Sequence, residues 1–100
     1  MEVPYYAVIF TSTLTDLTEG YEEMANSMVE LAQQQSGFLG IESARNEIGI
    51  TVSYWNDLES IKLWKQNWEH LKAQQKGKSD WYQKYTVRIA LVERAYDFES

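Results

Sequence analysis

Residues 5–13, YYAVIFTST, constrain the fold more than any other stretch of the chain. Aromatic and β-branched residues dominate it, which is the composition of a strand. In an extended backbone Tyr6, Val8 and Phe10 point to one side and Tyr5, Ala7, Ile9 and Thr11 to the other. Both sides are largely apolar, so this strand belongs in a sheet that is covered on both faces. A sheet with one such face left bare would carry a large adhesive patch.

The remaining elements follow from periodicity. Tyr21, Met24, Ala25, Met28, Leu31 and Ala32 recur at helical spacing, with Glu19, Glu22, Glu23 and Glu30 on the outside. A helix is therefore expected over residues 18–35, with Gly37 as its stop. Residues 38–45 and 49–55 read as two strands joined by a short turn, a hairpin longer than the tight two-residue type. A final strand is expected over residues 85–98, with Val87, Ile89 and Leu91 on one face and Thr86, Arg88, Ala90, Val92 and Arg94 on the other.

The second helix lies in residues 57–85, a stretch that holds three of the four tryptophans and the sole histidine. Leu58, Ile61, Trp64, Trp68, Leu71 and Gln75 form one face, and Lys62, Lys65, Glu69, Lys72 and Lys76 form a solvated one. Asp57 is placed as the N-cap, Lys76 and Gly77 as the stop. Leu63, Asn67, His70 and Gln74 stack along a flank. This row of hydrogen-bonding side chains either borders a pocket or is the wet edge of a packed helix.

The order β-α-β-β-α-β defines an α+β fold, the ferredoxin-like split unit, with both helices on one face of an antiparallel sheet. The other face needs a cover, so a homodimer through the sheet faces is expected from the patterning alone. One hundred residues without repeats, linkers or low-complexity segments fit one domain over residues 1–100.

Composition excludes several function classes. The net charge of −6 disfavours nucleic acid, whose affinity comes from basic residues. No apolar run approaches transmembrane length, and the apolar N-terminal stretch lacks the basic flank of a signal peptide, so no membrane partner and a cytoplasmic location are expected. Without cysteine and with a single histidine, no metal site is supported. No glycine-rich phosphate loop is present, so nicotinamide, flavin or nucleotide binding has no motif, and no cofactor is expected.

The segments GFLGIESA, SYWNDLESIKLWKQNWEHLKAQQKGKSDWYQKY and VRIALVERAYDF together resemble the antibiotic biosynthesis monooxygenase domain family, in particular its small stand-alone bacterial members. The resemblance runs over residues 5–98. It implies a dimeric α+β barrel, two ferredoxin-like units with facing sheets. It also implies, for one branch, oxidation of a small aromatic or quinol by molecular oxygen without metal or flavin. Such chemistry needs an aromatic-lined cavity, a base for a phenol and a donor for an oxyanion.

On that implication Trp64 and Trp68 are walls, with Tyr54, Trp55, Trp81 and Tyr82 as additions, and His70 is the base. Asn67, Gln74 and Arg88 are the candidates to hold an oxygen. Each has a plainer reading. Trp64 and Trp68 share the core stripe, Arg88 can form a structural ion pair with Glu42 or Glu93, and Tyr82 and Tyr85 serve equally as pocket lids or dimer contacts. A non-catalytic dimeric module that binds a small hydrophobic ligand is the alternative function. Another branch of the family binds and degrades haem. Trp64 matches its tryptophan, but Gln74 or Gln75 stands in the place of its histidine, and strand 1 offers Thr11 and Ser12 rather than asparagine.

Overall fold

The computed structural model describes residues 1–74 and 81–100, and for residues 70–74 it describes the backbone alone. The elements are β1 (Tyr5–Leu14), α1 (Tyr21–Gln33), β2 (Phe38–Arg45), β3 (Gly49–Trp55), α2 (Leu58–Gln74) and β4 (Tyr82–Val92). The four strands form one antiparallel sheet in the order β2-β3-β1-β4. The fold is the ferredoxin-like α+β unit that the pattern implied. No helix among the described residues is long and apolar enough to cross a membrane. The expected helix stop at Lys76 and Gly77 lies outside the described residues.

Both ends of α1 and both ends of β4 differ from the sequence reading. Helix α1 begins at Tyr21, later than residue 18, because Gly20 adopts a left-handed conformation (φ 82°) that a right-handed helix cannot contain. Gly37 is not the stop of α1, which ends at Gln33. Its role is close approach: a Cβ there would collide with the Ser60 side chain at the start of α2. Strand β4 begins at Tyr82, which pairs with Leu14 past a register shift that leaves Gln83 of β4 unpaired in the ladder, and ends at Val92. Val92 pairs with Tyr5, the first residue of β1, so residues 93–100 have no strand beside them to extend the ladder.

Both helices pack on one face of the sheet. Val8 and Trp55 from the strands meet Ala32 from α1 and Ile61 and Trp64 from α2 in one buried cluster. A second cluster joins Met24, Trp68 and Trp81, with Phe10 and Tyr82 against it. Two indole N–H groups tie these layers together. Trp64 Nε1 donates to the Met28 carbonyl across the helix pair at 3.1 Å, and Trp81 Nε1 donates to the Glu19 carbonyl at 2.7 Å. Asp57 caps α2 as its sequence position suggests, its Oδ1 accepting from the Ser60 amide at 2.7 Å. The face opposite the helices carries Ile9, Ile50, Val52, Arg88 and Ala90.

Candidate functional site

The helices do not seal against the sheet. A cavity of about 890 Å³ lies between them, within the range of roughly 300–1,000 Å³ typical of small-molecule sites. Its floor is the helix side of the sheet, where alternation brings Val8 and Phe10 of β1, Thr51 and Ser53 of β3, and Val87 and Ile89 of β4 to one face. Its roof is α2, through Ile61, Trp64, Lys65, Trp68 and Glu69, and α1, through Ala25, Met28 and Val29.

One end is a cage of rings. Phe10 stacks on Tyr85 with centroids 5.3 Å apart and meets the edges of Tyr82 at 5.6 Å and Trp68 at 6.0 Å. Such offset and edge-on pairs position rings more rigidly than aliphatic contacts do. Tyr21 completes the end wall, edge-on to Tyr82 at 5.8 Å. Burial pushes the Tyr82 hydroxyl well above its ordinary tyrosine value, and its hydrogen bond to Tyr21 adds to this. Tyr82 therefore keeps its proton in the neutral range and can donate a hydrogen bond, but it is neither a base nor a ready acid there.

The guanidinium of Arg45 stands at the same end. Its Nη2 donates to Ser12 Oγ at 2.5 Å and to the Tyr21 hydroxyl at 3.4 Å, and its Cζ lies 5.7 Å from the Tyr21 ring centroid. Among the described residues no three His, Cys, Asp or Glu side chains are grouped as metal ligands would be.

Of the residues singled out in the sequence, Trp64, Trp68 and Tyr82 border the cavity. Trp55 and Trp81 stand outside its lining. Trp55 is fully buried, tilted against Trp64 at 5.2 Å with its Nε1 donating to Ser53 Oγ at 2.8 Å, and Trp81 packs edge-on to Tyr21. Asn67 is exposed on α2 and outside the lining. The cavity borders the flank that carries Ile61, Lys65 and Glu69, not the one that carries Leu63 and Asn67, because packing on α1 and β3 sets the rotation of the helix. Arg88 pairs with Ile9 and so belongs to the far face of the sheet. Tyr54 shares that face, its hydroxyl donating to Glu42 Oε1 at 2.6 Å. The side chains of His70 and Gln74 lie outside the described residues.

The sequence reading passed over Tyr21 and Arg45 as site residues. Tyr21 was absorbed into the core stripe of α1. Arg45 had one available signal: a short hairpin turn sets the last residue of β2 opposite Gly49, the first of β3.

Comparison with known proteins agrees with this architecture. A family model described as Monooxygenase af470-like matches residues 8–91. The Bacillus subtilis protein YqjZ, itself uncharacterized, is 49% identical over 100 residues, covering 98% of this chain and 88% of YqjZ. Among solved structures, PA3566 from Pseudomonas aeruginosa superposes with a TM-score of 0.69 at 19% identity over 96% of this chain and 99% of that one. SnoaB from Streptomyces nogalater, a cofactor-independent oxygenase, superposes with a TM-score of 0.68 at 11% identity over 98% of this chain and 100% of that one. These structural likenesses establish a shared fold.

Proposed function

Since the chain belongs to the Monooxygenase af470-like family, we propose that the cavity between the helices and the sheet is the site of a cofactor-independent monooxygenation of a small aromatic or quinol by molecular oxygen. The observation that carries this reading is the aromatic lining of a cavity large enough for a fused-ring substrate. Phe10, Trp64, Trp68 and Tyr85 supply flat apolar surface, and Tyr82 supplies an O–H donor at one end. The fold shared with SnoaB supports the same reading.

A base removes the phenolic proton of the quinol, and electron density moves to the ring carbon. That carbon reduces oxygen and forms a C–O bond, giving a hydroperoxide. Loss of water then leaves one oxygen atom in the product as a carbonyl and releases the other. Across the cycle the quinol loses four electrons and oxygen gains four. What this chemistry asks of the protein is donors that stabilise the substrate anion. His70 is the base that the family resemblance implies. It belongs to the row of Leu63 and Asn67, neither of which borders the cavity, so the assignment stands or falls on the His70→Ala variant.

Oxygen uptake with a panel of anaerobically prepared quinols, followed by ¹⁸O₂ labelling, tests the proposal. One labelled oxygen per product and one O₂ per turnover, above the protein-free rate, is the expected result. If His70 is the base, His70→Ala slows turnover by roughly a hundredfold or more; unchanged turnover removes it from the mechanism. Binding without uptake across the panel would replace this reading with a ligand-binding module, which the placement of Asn67 and Arg88 away from the cavity favours.

The open face of the sheet is assigned to a second copy of the chain. It displays Ile9, Ile50, Val52 and Ala90, with Ile50 46% exposed. Covering such a face removes apolar surface from water. Sedimentation of the purified protein is expected to give a homodimer, and a monomer at micromolar concentration would overturn that assignment.

A further inference from the structure

Arg45, Gly49, Ser12 and Tyr85 lie on one rung of the sheet, through the pairs Arg45 with Gly49, Gly49 with Ser12, and Ser12 with Tyr85. Gly49 has no side chain, so Arg45 lies across β3 and reaches β1. A Cβ on Gly49 would occupy the space of the guanidinium. There Nη1 reaches the Ser12 carbonyl at 3.5 Å, while Nη2 binds Ser12 Oγ and the Tyr21 hydroxyl. Every one of these partners is neutral. Among the described residues no carboxylate pairs with Arg45, in a chain where 15 acids outnumber nine Lys and Arg.

An arginine held from one side by neutral oxygens keeps its charge and several of its five donors for something else. Arg45 is exposed and borders both the cavity and a shallower hollow in front of α1. Glu22 and Glu23 line that outer hollow and make it hostile to anions. On the cavity side the neighbours are Tyr21 and Tyr82, and Tyr82 holds its proton. Glu42 pairs with Val52, so its side chain belongs to the far face of the sheet, where Tyr54 engages it, and Lys65 and Glu69 of α2 offset each other in charge.

We propose that Arg45 is a specificity-determining residue that binds an anionic oxygen of the ligand, so that the cavity takes aromatic molecules carrying a carboxylate or an equivalent acidic group. The inference rests on the cavity being the ligand site, and it holds whether or not the bound molecule is then oxidised.

Two fluorescent probes of nearly the same shape test it: 8-anilinonaphthalene-1-sulfonate, which is anionic, and N-phenyl-1-naphthylamine, which is neutral. The intact chain is expected to bind the anionic probe about tenfold or more tightly than the neutral one, as a charge-assisted hydrogen bond provides. This preference should shrink as salt is raised. Arg45→Gln should abolish the preference while leaving affinity for the neutral probe within about twofold. Tyr21→Phe, which removes a neighbour of the guanidinium and not its charge, should retain most of the preference. Thr51→Trp, which fills the floor of the cavity, should weaken both probes. Equal binding of the two probes by the intact chain, or equal weakening of both by Arg45→Gln, would overturn the anion-binding role and leave the cavity reading intact. Binding of both probes unaffected by Thr51→Trp would overturn the cavity as the ligand site and this proposal with it.

Discussion

The guanidinium of Arg45 fills the space above Gly49, its partner across the hairpin, where any other residue would place a Cβ. Gly49→Ala therefore pits a fixed methyl against the far end of a flexible side chain. The side chain yields. Stability is expected to change by no more than about 1 kcal/mol, because Gly49 has no positive φ and alanine suits a strand better than glycine. The position of Arg45 is lost instead. Denaturant unfolding together with probe selectivity would separate the two effects. A large stability loss with selectivity retained would contradict this picture.

Gly37 offers the opposite case. A Cβ there meets both the Cβ and Oγ of Ser60 and comes to 3.1 Å from Asp57 Oδ2. Ser60 is buried, and its amide receives the cap from Asp57. These atoms sit close to the helix backbone and cannot swing away. Gly37→Ala is expected to cost about 1–3 kcal/mol by overpacking and by disturbing the cap. The double variant Gly37→Ala/Ser60→Gly should recover part of the loss in thermal unfolding.

Trp64 is at once core and cavity wall. Its ring lies against Trp55, and its N–H donates to the Met28 carbonyl that joins the helices. Trp64→Phe is expected to cost about 1–2 kcal/mol, from one lost hydrogen bond and a smaller ring. Trp64→Ala should cost about 3–5 kcal/mol. Chemical denaturation measures both, and equal costs for the two would show that the ring volume is not what matters.

Tyr54 is pushed up to about 12, first by its hydrogen bond to the Glu42 carboxylate and then by burial and by the charge of Glu42. Raising a tyrosine in the folded state favours its neutral form there. The contribution to stability is complete below pH 10, the unfolded value, and is lost as pH rises through 12. In an ultraviolet titration of the folded protein Tyr54 should ionise late. Glu42→Gln should bring it back toward 10. An unchanged titration curve in that variant would show that the hydrogen bond does not control it.

Glu42 and Arg88 occupy opposite edges of one rung, through Glu42 with Val52, Val52 with Ile9, and Ile9 with Arg88. Three strand spacings separate their backbones by ~14 Å, too far for the internal ion pair with Glu42 that the sequence allowed beside one with Glu93. Among the described residues Arg88 has no hydrogen bond or ion pair. In a two-fold dimer of facing sheets whose axis runs parallel to the strands, each end of this rung would meet an opposite charge from the partner. Arg88→Glu is expected to weaken association in sedimentation equilibrium, and Glu42→Lys/Arg88→Glu to restore part of it. Weakening by the single variant with no recovery in the double would exclude this pairing.

The order of elements and the fold class are legible in the sequence. Apolar residues on both sides of Tyr5–Leu14, helical spacing from Tyr21 and from Leu58, and strand alternation elsewhere were enough for the order of elements and the fold class. The N-cap at Asp57 was equally legible, because a cap is made within four residues. The family pattern in the sequence pointed to Trp64, Trp68 and Tyr82, which border the cavity, and equally to Trp55, Trp81, Asn67 and Arg88, which do not.

What the sequence could not supply was rotation and register. A helical wheel shows two polar flanks on α2, and only packing against α1 and the sheet decides that Lys65 and Glu69, rather than Asn67, edge the cavity. Alternation shows that Arg88 and Val87 face opposite ways, but not which way is inward until Ile9 is set beside Arg88. Arg45 reaches Ser12, 33 positions earlier, only because β3 lies between them with a glycine at the crossing. By itself the sequence determined the elements and their order, since these depend on neighbours along the chain. The cavity and its charged end were decided by the tertiary structure alone, because they depend on pairings between strands and helices that no local pattern encodes.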